Sequence, residues 1–159
     1  MTVNALIVFV AKYFLLLSVL LVALYWLRSA TSTKIQLGFR LVVGGLIALA
    51  LARISAQLYY STRPFVTSHV APLFAHAADN GFPSDHALLA SFLGFTLWNY
   101  SRNLGAILLI NGVLIGAARV AAHVHHPFDI LGSFVFSAVA VVVTTWIAKN
   151  ERVARLWRR

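Results

Sequence analysis

The sequence predicts an all-α fold, a polytopic membrane bundle of about five transmembrane helices. Three observations lead there. Of 159 residues, 60% are hydrophobic and only 11% charged, against roughly 25% charged in a soluble domain. The apolar residues gather into five stretches, each near the roughly 20 residues a helix needs to cross the hydrocarbon core. The basic residues collect in the short gaps between those stretches, as they do in membrane loops. A soluble fold of this length could not hide so much apolar surface, so the solvent is lipid.

The first stretch covers about residues 3–27 and has neither a basic leader nor an A-x-A-type cleavage site. It reads as a retained span and not as a signal peptide. The second covers about 37–60, the third 84–100, the fourth 104–122 and the fifth 127–148. Segment 61–83 is mixed in character and holds Pro64, Pro72, Gly81 and Pro83. It is expected to be a loop with a short helix near 70–78. No internal repeat or low-complexity tract appears, so residues 1–159 are expected to form a single integral membrane domain. There is no cysteine, which removes disulfides and thiolate metal sites.

Orientation follows from the cations. Arg28, Lys34 and Arg40 lie between the first two spans, Arg102 lies between the third and fourth, and Lys149, Arg152, Arg155, Arg158 and Arg159 follow the fifth. Five spans place all of these on one side, expected to be cytoplasmic, with the N-terminus outside. The net charge of +9 is therefore a topology signal and a lipid-headgroup anchor, and no nucleic-acid partner is expected. Lys12, Arg53, Arg63 and Arg119 remain, in or beside the outer half of the spans. Asp79, Asp85, Asp129 and all six histidines share that side. Charged groups within spans are costly and mark function.

Three segments on this outer face carry chemistry. Arg63-Pro64 follows the second span. Pro83-Ser84-Asp85-His86 opens the third, where proline suits the first helical position and the free N–H groups behind it can bind an anion. Ser84 adds a hydroxyl, and His86 projects from the first turn. The same tetrapeptide also reads as a plain capped helix start with an interfacial histidine. The last segment runs from Arg119 through His125 to Asp129. Pro127 starts a helix, which puts Asp129 in its first turn. There it can accept a hydrogen bond from one imidazole nitrogen of His125 and leave the other free to attack. Arg119 can present a planar donor fork to phosphate. An Arg119–Asp129 ion pair capping two helices is the competing reading, but it leaves both histidines unexplained. His123, His125 and His126 could also be read as a metal cluster. Adjacent loop histidines rarely converge on one ion, so no metal or other cofactor is expected. Gly112 and Gly116 form a G-x-x-x-G pair suited to close helix packing.

Taken together, Arg63-Pro64, Pro83-Ser84-Asp85-His86 and Arg119-x5-His125-x3-Asp129 resemble the three-part signature of the type 2 phosphatidic acid phosphatase (PAP2) superfamily. The resemblance covers about residues 53–132. Within the superfamily the chain looks most like the undecaprenyl pyrophosphate phosphatases of the bacitracin-resistance type. The resemblance implies a helical bundle with its site on the outer face of the bacterial cytoplasmic membrane. It also implies roles: His125 attacks phosphorus and becomes a phosphohistidine, Asp129 orients it, and His86 protonates the leaving oxygen. Arg63, Arg119 and the Pro83–Asp85 turn hold the phosphoryl oxygens, where developing charge needs fixed donors.

The chain departs from that pattern at Ala56, where a lysine is usual, at Asp85, where glycine is usual, and at Ala118, where serine is usual. Lys12 and Arg53 both lie roughly 10–15 Å below the outer boundary, and no carboxylate lies in the middle of any span. One of them, Arg53 in preference, is expected to replace the absent lysine and reach a second phosphate. Otherwise Lys12 snorkels to the surface and Arg53 bonds carbonyls or water. The expected partner is a polyprenyl or other lipid phosphate, set among membrane lipids. A broader lipid phosphatase acting on phosphatidylglycerol phosphate or phosphatidic acid, or a lipid phosphotransferase, uses the same residues. A non-catalytic lipid-binding protein or transporter needs the arginines but not two histidines.

Overall fold

Lipid offers the backbone no hydrogen-bond partners, so apolar segments must satisfy themselves as helices. The computed structural model, which describes residues 2–155, follows that rule. Its helices are α1 (Val3–Arg28), α2 (Thr31–Leu58), α3 (Pro64–Thr67), α4 (Asp85–Trp98), α5 (Arg102–Ala121), α6 (Pro127–Lys149) and α7 (Glu151–Ala154). Arg158 and Arg159 of the basic tail lie outside the described residues. α1, α2, α5 and α6 are long and apolar enough to cross a membrane. They turn Leu6, Leu16, Leu46, Ile110, Leu131 and Val142 outward, as a lipid-facing surface does.

α4 is the exception among the five apolar stretches. Its 14 residues span about 21 Å at 1.5 Å per residue, short of a hydrocarbon core about 30 Å thick. It packs against α1, α2, α5 and α6, and nine of its 14 residues are buried, including Leu88, Phe92, Leu93 and Leu97. α4 is thus the axis of the bundle, and its stretch is apolar because neighbouring helices surround it.

Side chains that let helices approach do the packing. Gly112 of α5 lies against the α4 backbone, where an added Cβ would sit 3.5 Å from the Ser91 nitrogen. At Gly116 a Cβ would come within 2.5 Å of the Ile130 side chain of α6. The glycine pair therefore serves packing, as expected, with Gly112 also facing Phe134 of α6 at 3.3 Å. Buried hydroxyls bridge the same helices. Ser137 donates to the Leu88 carbonyl at 2.8 Å, Ser133 donates to the Ser84 carbonyl at 2.9 Å, and Ser91 donates to Ser137 at 2.9 Å. Such bonds average about 0.6 kcal/mol in membranes.

Segment 59–84 closes one end of the bundle, and here one expectation fails. Residues 70–78 are not helical. The helical turn falls instead at Pro64–Thr67, where proline pre-sets the first φ. Beyond it His69 takes a left-handed φ of 56°, and Pro72 has no N–H to give. The backbone bonds outward instead, with Phe65 N–H donating to the His123 carbonyl and Leu73 N–H to the Ala122 carbonyl, both at 3.2 Å. α2 also begins earlier than its apolar stretch. Thr31, Ser32, Thr33, Lys34 and Gln36 are polar but helical, and Trp26 Nε1 donates to the Lys34 carbonyl at 2.9 Å to tie the α1–α2 hairpin.

Candidate active site

Helix ends set the geometry at the closed end. Pro127 opens α6 at its first position, and the Asp129 carboxylate accepts the His126 N–H at 2.8 Å. That bond fixes Asp129 two residues beyond the opening proline and leaves His125 just outside the helix. His125 is buried. Its Nδ1 lies 2.9 Å from the Gly81 carbonyl and 3.3 Å from Asp129 Oδ2. A carbonyl can only accept, so Nδ1 carries the proton and Nε2 keeps its lone pair. Arg63 Nη1 lies 3.4 Å from that Nε2. Burial first, then the charges of Arg119 and Arg63, hold the imidazole below its ordinary value of 6.5 despite the opposing pull of Asp129.

Arg63 caps α3 and is itself buried. Its Nε and Nη2 donate to Asp79 Oδ1 at 2.8 and 2.7 Å. Its Nη1 donates to the Val124 carbonyl at 2.8 Å, and Nη2 also reaches the Asn80 carbonyl at 3.3 Å. Asn80 anchors this corner. Its Nδ2 donates to the Ala56 and Tyr59 carbonyls at the end of α2, and its Oδ1 accepts from Ser61 N–H and Phe82 N–H.

Arg119 comes from the last turn of α5 and is also buried. Its Nη2 donates to His76 Nε2 at 2.9 Å and its Nη1 reaches the Ala11 carbonyl of α1 at 3.5 Å. Its plane lies 5.7 Å from the Phe74 ring centre. His76 Nδ1–H donates to the Ala77 carbonyl, so its Nε2 is an acceptor. Burial and the nearby Arg63 hold His76 below its ordinary value.

These groups face one cavity of about 340 Å³, whose lining includes Arg53, Arg63, His76, Pro83, Asp85, His86, Arg119 and His125. Most residues singled out in the sequence are therefore brought together. Asp129 and Ser84 are fully buried behind the wall, and the Ser84 hydroxyl has no hydrogen-bond partner among the described residues. Arg53 lines the cavity, whereas Lys12 does not. The Lys12 ammonium sits 4.9 Å from the centre of the Phe74 ring, a cation–π contact. The alternative Arg119–Asp129 pair is not formed, since Arg119 goes to His76 and Asp129 to His125. Nor do the loop histidines converge: His126 Nε2 turns to the Thr62 carbonyl at 3.1 Å. Among the described residues no group of three or more His, Cys, Asp or Glu is placed to hold a metal.

Sequence reasoning missed Gly81, His76, Asp79 and Asn80 as parts of the site. Gly81 had a signal. It stands between Asn80 and the Phe82-Pro83 pair, and an added Cβ would lie 3.1 Å from both Asp129 Oδ2 and the Ser61 carbonyl. Only glycine lets that backbone reach His125 without displacing them. His76 and Asp79 had no signal, because their contacts are long-range.

A tautomer-fixed histidine and two buried arginines around one cavity can transfer a phosphoryl group. Residues 33–152 match the family model described as the PAP2 superfamily. The chain belongs to that superfamily and is a multi-pass membrane phosphatase. The bacitracin transport permease protein BcrC of Bacillus licheniformis is similar, with 27% identity over 91% of this chain and 71% of the relative. The undecaprenyl-diphosphatase BcrC of Bacillus subtilis is 31% identical over 88% of this chain and 70% of the relative. The undecaprenyl-diphosphatase of Sulfolobus acidocaldarius is 31% identical over 97% of this chain and 78% of the relative.

Proposed function

We propose that this protein, as one domain, hydrolyses undecaprenyl pyrophosphate to undecaprenyl phosphate and phosphate. The site faces outward from the bacterial cytoplasmic membrane. One observation carries the chemistry: the Gly81 carbonyl holds the proton on His125 Nδ1, leaving the Nε2 lone pair toward the cavity. Nε2 attacks the terminal phosphorus and the bond to the bridging oxygen breaks. His86 gives its proton to that oxygen, and undecaprenyl phosphate leaves. Water then attacks the phosphohistidine, His86 takes the water's proton, and the N–P bond breaks to release phosphate.

Arg63, Arg119 and the N–H groups opening α4 hold the phosphoryl oxygens. Arg53, on the α2 wall, binds the second phosphate. Asp129 keeps the histidine in register. The names of the Bacillus subtilis and Sulfolobus relatives support the choice of lipid.

The test is phosphate release from undecaprenyl pyrophosphate by protein purified in detergent. His125→Ala should lower turnover by roughly 10³-fold or more, and His86→Ala by about 10²- to 10⁴-fold. Near-wild-type activity in His125→Ala would overturn the mechanism. Faster turnover of phosphatidic acid than of the pyrophosphate would overturn the substrate.

A further inference from the structure

The two cavity arginines are not equivalent. Among the described residues Arg119 has no carboxylate within ion-pair distance, and its buried Nε–H has no hydrogen-bond partner. It is a cation with donor capacity to spare. Arg63 has none. Its Nε–H goes to Asp79, Nη2 goes to Asp79 and the Asn80 carbonyl, and Nη1 goes to the Val124 carbonyl and faces His125 Nε2. A guanidinium has five N–H groups, and each is committed. A phosphate can bind Arg63 only if one of these partners leaves.

The partners differ in how easily they can go. The Val124 carbonyl is backbone in the turn that carries His125. Asn80 is held by four hydrogen bonds of its own side chain. The Asp79 carboxylate is held only by Arg63 and by its own backbone N–H among the described residues, and its side chain is 64% exposed while that of Arg63 is 6% exposed. It belongs to no helix, and it lines the same cavity. It occupies the Nε/Nη2 edge of the guanidinium, the edge that takes an anionic oxygen pair. The pair is thus open to solvent on the Asp79 side only, the side from which a competing anion would enter.

We propose that Asp79 is an affinity-setting residue, an internal carboxylate that occupies the phosphate-binding edge of Arg63 and is displaced by substrate phosphate. When the product forms, the same carboxylate returns to Arg63 and releases inorganic phosphate. The inference rests on the reading of Arg63 as a phosphate ligand, but not on which lipid is hydrolysed.

The experiment is calorimetric binding of inorganic phosphate and of inorganic pyrophosphate to the whole protein in detergent. Asp79→Asn keeps the shape and removes the charge. Both anions should bind it about two- to fivefold tighter than wild type, the range that loss of one weak competing ion pair allows. KM for the lipid substrate should fall by a similar factor, and the inhibition constant of phosphate should fall with it. In an Arg63→Gln background the same substitution should leave both affinities unchanged. Weaker or unchanged binding in Asp79→Asn would mean the carboxylate only props Arg63, and would overturn the proposal. Tightening that persists without Arg63 would assign the effect to the general field of the charge and overturn it as well. Should Arg63→Gln fail to fold, the sign of the Asp79→Asn change still decides. If wild type hydrolyses none of the lipids yet Asp79→Asn tightens anion binding, the substrate reading falls and this one stands.

Discussion

His125, the proposed nucleophile, sits among four neighbours that pull in known directions. The Gly81 carbonyl and Asp129 fix the proton on Nδ1. Burial and the charges of Arg119 and Arg63 disfavour a second proton more than Asp129 favours it. A value below 6.5 means that the imidazole stays neutral as pH falls through the range where an exposed histidine would charge. Only the neutral ring can attack, so activity persists over that range and is lost once pH passes the lowered value. The acid limb of kcat/KM against pH, which reports the free enzyme, is expected below 6.5. Arg119→Gln should move it upward, because one opposing charge is gone. An acid limb at or above 6.5 in the wild type would contradict the environment described for His125.

The helices reach their positions through small residues whose spacing mattered less than their partners. Gly105 opens α5 against the end of α4, where an added Cβ would lie 2.6 Å from both the Trp98 nitrogen and its Cα. Backbone cannot move aside as a side-chain tip can. Gly105→Ala should therefore cost about 1–3 kcal/mol, the usual range for overpacking. Gly38→Ala is the contrast, since its Cβ would meet nothing nearer than Trp26 Nε1 at 4.0 Å. Thermal unfolding in detergent should place Gly105→Ala below wild type and Gly38→Ala close to it. Both lie at the end of the bundle away from the cavity, so turnover per folded molecule should not change. Equal melting temperatures for the two variants would count against the α4–α5 contact as drawn.

For the molecule as a whole, the chain makes five passes along the bundle, α1, α2, α4, α5 and α6, in alternating directions. Arg28, Lys34, Arg102 and Lys149 mark one end, and the cavity with Asp79, Asp85 and Asp129 marks the other. The short α4 fits this pattern because segment 59–84 covers its N-terminal end, and irregular backbone is tolerated at depth where it lines a cavity. Cysteines placed at positions 79 and 149 should react with a membrane-impermeant reagent from opposite sides, with position 79 external. Labelling of both from the same side would remove the basis for an outward-facing site.

Composition and local pattern alone determined the solvent, the helical class and the segregation of charge. Apolar length and cation placement are properties of contiguous sequence, and lipid permits few ways to satisfy them. That Arg63, His86, Arg119 and His125 gather at one cavity was legible because each sits beside a helix terminus marked by proline or by the end of an apolar run. What packs around them was not legible. The Gly81 carbonyl on His125, His76 on Arg119 and Asp79 on Arg63 join residues 44, 43 and 16 positions apart, and no periodicity encodes such contacts. Lys12 shows the same limit from the other side. Its expected depth matches that of Arg53, but its ammonium lies over the Phe74 ring, and only the packed loop decides which cation an aromatic face will meet.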